Sequence, residues 1–162
     1  MTIKKYIWLG VALLAGHASA QVLHTDPDWK ESEAPPPPAF NQEQLLPITM
    51  PSYVSLKFGL DPATLRITPD GIIRYVVVAR NAMGSVSAMY EGIQCATWKV
   101  KTYARYPSSG QWLIVKDPKW QNLADNLPSK HALALARQGI CEEGSIAASS
   151  VANIIQSLKS KR

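Results

Sequence analysis

Between residues 64 and 115 the chain alternates apolar and polar side chains with a period of two, which restricts it to folds built on a sheet. In residues 97–106, Trp98, Val100, Thr102, Ala104 and Tyr106 fall on one side, and Lys99, Lys101, Tyr103 and Arg105 on the other. Residues 72–80 place Ile73, Tyr75, Val77 and Ala79 on an apolar face. Their opposite face mixes Ile72, Val76 and Val78 with Arg74 and Arg80. Residues 64–68 and 85–91 alternate more briefly, residues 111–115 form a short apolar strand, and Pro69-Asp70-Gly71, residues 81–84 and residues 107–110 carry turn chemistry between the runs. Such short spacers make neighbours pair antiparallel, so a meander of about five strands is expected.

Further on, the period changes. Ser129 can cap a helix running to about Gln138, with Gly139 placed to end it. In residues 149–158, Val151, Ile154, Ile155 and Leu158 recur at helical spacing behind Ser149 or Ser150. Stripes of this kind cover the apolar face of a sheet. The expected fold is α+β, an antiparallel meander of about five strands with two C-terminal helices packed on one face.

Residues 1–20 read as a secretory signal peptide. Lys4 and Lys5 precede an apolar run from Tyr6 to Ala15, and Ala18-Ser19-Ala20 supplies a small-residue cleavage site. The run is too short to span a membrane, and no later stretch is longer. The mature chain is expected to begin at Gln21, to carry no lipid anchor, and to reside in the periplasm or beyond. Residues 21–52 form a proline-rich, acidic arm. Pro35 to Pro38 favour an extended polyproline conformation, and Pro27, Pro47 and Pro51 remove further backbone donors. Such an arm can dock in an aromatic-lined groove of a partner. The reading favoured here is that it lies on its own domain, residues 53–162, pinned by Trp29 and Phe40.

Charge is distributed unevenly. The formal charge of +5 falls to +3 once Lys4 and Lys5 leave with the signal. Asp26, Asp28, Glu31, Glu33 and Glu43 face Lys30 alone in the entry segment, whereas fourteen Lys or Arg accompany seven Asp or Glu from residue 44 onward. A basic body outside the cytosol can meet an anionic envelope polymer or an envelope protein; it can equally serve solubility. Nucleic acid is not an expected partner, given the export signal and the lack of a recognition motif.

The two cysteines, Cys95 and Cys141, read as one structural disulfide in an oxidising compartment. Their spacing lacks the Cys-x-x-Cys pattern of redox motifs. His24 and His131 are the only histidines after residue 20, too few for a zinc site unless the cysteines are reduced, and no cofactor is expected. Serine-nucleophile and phosphate-loop motifs are missing, so no catalytic residue is assigned. Glu91, beside Gly92, is the carboxylate of most interest. It is read first as a cross-strand ion pair or a bond to the Gly92 turn, and second as a ligand contact or general base. Arg66, Arg74, Arg80, Lys99, Lys101 and Arg105 are strand cations. With Tyr103 they are expected to converge on an exposed sheet face, as a solvated surface or as a binding surface for polyanions or glycans. Glu91, Arg74, Lys99, Lys101, Tyr103 and Arg105 are therefore the binding candidates.

Tyr90-Glu91-Gly92-Ile93-Gln94-Cys95, preceded by Gly71-Ile72-Ile73-Arg74-Tyr75, resembles the cryptic-neisserial-protein-like family, small exported proteins of Gram-negative bacteria. Trp29-Lys30-Glu31, the proline run before Phe40, Gly110-Gln111-Trp112, Trp120 and the Leu133 to Cys141 helix-then-cysteine pattern carry the similarity over residues 29–158. Gln94 stands where arginine is expected. The family is functionally uncharacterised, so the resemblance implies export and a single domain of this type but does not imply an activity. The expected function is a non-enzymatic binding or scaffolding module of the cell envelope. The alternative is a small hydrolase that uses Glu91 with a second carboxylate such as Asp117.

Overall fold

The structure, a computed structural model, describes residues 28–160 apart from Asn126. Residues 1–20, expected from the sequence to be a signal peptide, and residues 21–27 at the start of the arm lie outside the described residues. Eight strands form one antiparallel sheet: β1 (Leu46–Ile48), β2 (Lys57–Leu60), β3 (Arg66–Ile67), β4 (Ile72–Arg80), β5 (Val86–Gln94), β6 (Lys99–Tyr106), β7 (Leu113–Ile114) and β8 (Gln121–Asn122). The spatial order is β1-β2-β4-β5-β6-β7, with β3 beside β4 and β8 beside β6. Two helices follow, α1 (His131–Leu135) and α2 (Val151–Ser160), with the small hairpin β9 (Cys141–Glu142) and β10 (Ser145–Ile146) between them.

The α+β class and the two C-terminal helices agree with the sequence reading; the strand count does not. The expected five become eight because β1, β2 and β8 are too short to show alternation. Pro47 is tolerated in β1 because that strand is an edge. The sheet is also less one-sided than alternation suggests. Every residue of β4 except Arg80 is buried. Tyr75, Val77, Ile93 and Val100 pack with Leu135, Ile140, Ile154 and Leu158 of the helical segment on one face. Val76, Val78, Tyr90 and Ala104 pack on the other with Ala34, Phe40 and Leu45 of the arm. The layers are arm, sheet and helices. Full burial of each such aliphatic side chain is worth about 1.5–3 kcal/mol.

The arm is held through the turn before β4. Trp29 Nε1 donates to the Asp70 carbonyl at 2.8 Å, and the Ser32 N–H and hydroxyl both donate to the Asp70 carboxylate at 2.7 Å. Phe40 sits edge-on to Tyr106 and Trp112, with centroids 5.1 and 5.7 Å away.

Ser129 does not cap α1; its hydroxyl turns to the His131 ring instead. The helix continues as a π-type turn through Ala136–Ile140, where Gly139 takes φ 151°. A Cβ there would lie 3.2 Å from Ser157 Cβ, so glycine lets α2 approach closely. Ser150 caps α2 as expected, its hydroxyl accepting from Asn153 N–H at 3.2 Å.

Candidate functional site

Strand register places Glu91 among groups that can orient it. Tyr75, Glu91 and Thr102 are adjacent on β4, β5 and β6, on the helix-covered face. Glu91 is 2% exposed. Its Oε2 accepts from the Tyr75 hydroxyl at 3.1 Å, and its Oε1 from the Thr102 hydroxyl at 3.1 Å. His131, at the start of α1, brings Nε2 to 2.8 Å from the same Oε2. Phe58 of β2 stacks on the imidazole, 5.0 Å between centroids and 11° between planes.

The electrostatics follow from this geometry. Burial pushes the Glu91 carboxyl up, but the His131 charge and the bonds from His131, Thr102 and Tyr75 outweigh it and hold the group below the ordinary carboxylate value. Burial and the Glu91 charge push the Tyr75 phenol well above its usual range. An ionised carboxylate only accepts, so His131 Nε2 carries the proton and donates it. When the ring is charged, the state that lowers Glu91, both nitrogens carry protons; when it is neutral with the proton on Nε2, Nδ1 is a bare acceptor and the Ser129 hydroxyl lies against it. The arrangement can therefore pin α1 to the sheet. It can also draw a proton from Ser129.

The other binding candidates do not form one exposed face. Arg74 is 3% exposed, its guanidinium donating to the Ser32 and Glu33 carbonyls of the arm at 2.6 and 3.1 Å. Lys101 pairs with Glu31 of the arm, whose carboxylate also accepts from the Tyr103 hydroxyl at 2.8 Å and Trp120 Nε1 at 3.0 Å. Lys101 further lies 5.0 Å from the centre of the Trp120 ring. Lys99, half-buried, is on the arm side at the end of the same strand. Arg105 is on the opposite side. Tyr90 pairs with Ala104 and Glu91 with Thr102, so Tyr103 is an extra residue and reverses the alternation of β6 beyond it. Glu91 stands opposite Thr102 while Lys101 stands opposite Gly92 and Lys99 opposite Gln94, so Glu91 is on the face away from both lysines. The convergent basic surface is thus overturned: the acidic arm covers it.

Asp117, the proposed second carboxylate, pairs with Lys119 at 2.9 Å on the surface and is not among the partners of Glu91. The titratable partner of Glu91 is His131, with Ser129 against the far side of that ring; the sequence pointed to Ser129 only as a helix cap and to His131 only as a possible zinc ligand. Their signal was slight, a histidine two residues after a serine at a helix start. Cys95 and Cys141 form a disulfide with Cα atoms 5.5 Å apart. It ties the end of β5 to the segment after α1.

Away from Glu91, a concavity of about 580 Å³ opens between α1 and the segment joining β1 to β2. Met50, Leu133 and Ala134 make it apolar, Tyr53 stands at its edge 79% exposed, and Lys130 and Arg137 are its charged lining residues. Among the described residues no carboxylate lines it. Gln138 fixes its wall, accepting from Thr49 N–H at 2.9 Å and donating to the Pro47 carbonyl at 3.0 Å. These bonds occupy the outer edge of β1, where another strand would otherwise pair. Among the described residues no helix is long and apolar enough to cross a membrane.

Fold and site together define a disulfide-stapled α+β domain whose antiparallel sheet is enclosed by helices on one face and by its own N-terminal arm on the other. The chain belongs to the CNP1-like family, whose model matches residues 24–159. Neither a curated protein nor a solved structure matches it.

Proposed function

We propose that the protein is an exported binding module of the cell envelope, and that the groove beside α1 receives an amphiphilic anion. The occupant is a single-chain, lipid-like molecule with a carboxylate or phosphate head. The observation that carries this reading is the charge and polarity of the groove. Its volume, about 580 Å³, lies in the range of small-molecule sites, and an apolar floor is bordered by Lys130 and Arg137 with no acidic lining residue among the described residues. The basic sheet face is a weaker candidate, because Glu31 and the arm backbone already engage Arg74, Lys101 and Tyr103. The disulfide suits an oxidising compartment. The signal-like segment 1–20 suits the periplasm.

Titration of the mature protein with dodecanoate and dodecyl phosphate, against uncharged dodecyl maltoside, tests the assignment. Saturable binding of the anions is expected, weakened at least tenfold by Arg137→Glu and by Ala134→Trp, with Tm unchanged in the first. Absence of saturable binding, or equal binding by wild type and both variants, would overturn it. N-terminal sequencing of envelope fractions tests export, with Gln21 the expected first residue.

A further inference from the structure

The contact between Ser129 and His131 is not needed to hold α1 on the sheet. Glu91 and His131 accomplish that alone, through a buried bond between β5 and the helix start. The serine adds a hydroxyl to the far side of the same ring, so that three side chains from two separate segments form one hydrogen-bonded line. Glu91 is held at both oxygens by Tyr75 and Thr102, and Phe58 fixes the plane of the imidazole. This is the ordering that activates a serine: hydroxyl, imidazole, oriented carboxylate. The two ring nitrogens are exchanged relative to the familiar arrangement, which is chemically permitted because imidazole accepts and donates equally well through either.

Ser129 is half-buried rather than sealed, and it lines a narrow cleft of about 50 Å³. Leu127, Pro128 and Met89 give the cleft apolar walls, and exposed Arg105 and Gln121 border it. Arg105 faces this side only because the bulge at Tyr103 turns it there; its Nη1 lies 3.7 Å from the Met89 sulfur.

We propose that Ser129 is a nucleophile for short-chain esters, with His131 as general base and Glu91 as the group that orients it. The cleft limits the acyl part to about the size of acetyl, while the alcohol remains outside. Ser129 Oγ attacks the ester carbonyl carbon and its proton passes to His131 Nδ1. The ester C–O bond breaks, and the departing alkoxide takes that proton to leave as the alcohol. Water then attacks the acyl-serine, giving its proton to His131. Ser129 recovers a proton from the imidazolium and the short-chain acid leaves. The sum is ester plus water to alcohol plus acid. This site is separate from the groove, and either can fail alone.

The test uses the mature, oxidised protein with a fluorophosphonate probe and with p-nitrophenyl acetate. One adduct per chain is expected, mapped to Ser129, together with ester hydrolysis that falls at least tenfold in Ser129→Ala. Glu91 and His131 variants risk unfolding, so Ser129→Ala carries the test. Its Tm is expected within 2–3 °C of wild type, because Ser129 supplies no helix cap. Folded wild-type protein that takes no label at Ser129, or hydrolysis unchanged in Ser129→Ala, overturns the proposal.

Discussion

Glu31 of the arm and Lys101 of β6, seventy residues apart in sequence, form a largely buried ion pair. The carboxylate also collects the Tyr103 and Trp120 donors, so four side chains meet at one point on the arm-covered face. Glu31→Ala leaves Lys101 without its counter-charge and two aromatic donors without their acceptor. The expected loss is about 2 kcal/mol, seen in urea unfolding. A change below about 0.5 kcal/mol would mean that the arm is held without this cluster. Glu31→Gln should recover part of the loss, since the amide oxygen still accepts.

The disulfide makes a separate prediction. Cys95 and Cys141 are 46 residues apart, and the chain-entropy account of such a loop gives about 4 kcal/mol. Paired Cys95→Ala and Cys141→Ala substitutions should lower Tm by roughly 10 °C or more. The reductant-treated wild type should melt like the double variant. Coincident melts of wild type with and without reductant would show that the crosslink adds nothing.

Acid should destabilise the protein in a defined window. The folded-state values of Glu91 and Asp70 lie below their ordinary ones. For Asp70 burial acts upward, but the bonds from Thr68 and Ser32 and the Arg74 charge prevail. A depressed carboxylate stabilises the fold above its unfolded value, near pH 4, and that contribution disappears as pH falls through the lower folded value. Tm should therefore be nearly level from pH 7 to about 5 and fall steeply below about 4. Glu91→Gln should start lower and lose less over the acid limb. Parallel acid limbs for wild type and Glu91→Gln would remove Glu91 from the explanation.

How much of this was legible depended on the kind of signal. The bounds of β4 follow from nine residues of alternation, and Ser150 marks the start of α2 by ordinary capping chemistry. The bulge at Tyr103 has no counterpart in the sequence of β6 itself; it exists only relative to β5, so every face assignment beyond it was reversed. The separation of acidic arm and basic body was plain in the sequence. That Glu31 of the arm pairs with Lys101 of the body, and that arm carbonyls take up Arg74, was not, because pairing across tens of residues leaves no local pattern. His131 was hidden for a related reason. On a helix with Ala132 and Leu135 buried, a single histidine looks like part of an apolar stripe until Glu91 is placed opposite it.

Gly92 lies on the arm-covered face between two cations. It pairs with Arg74 on one side and Lys101 on the other, at the point where Tyr103 lies down over the sheet. A Cβ added there would stand 2.7 Å from the Tyr103 hydroxyl and 2.8 Å from Ile72 Cγ2, both below any normal contact. Gly92→Ala is therefore expected to cost about 1–3 kcal/mol through overpacking, despite alanine's better backbone propensity. Removing the Tyr103 hydroxyl relieves the shorter contact and leaves the one to Ile72. The double variant Gly92→Ala/Tyr103→Phe should then be less destabilised than the sum of its single changes, by about 0.5–1 kcal/mol in a denaturation cycle. Strict additivity would show that Tyr103 moves aside freely, and that the cradle holding Glu31 does not depend on a bare backbone at Gly92.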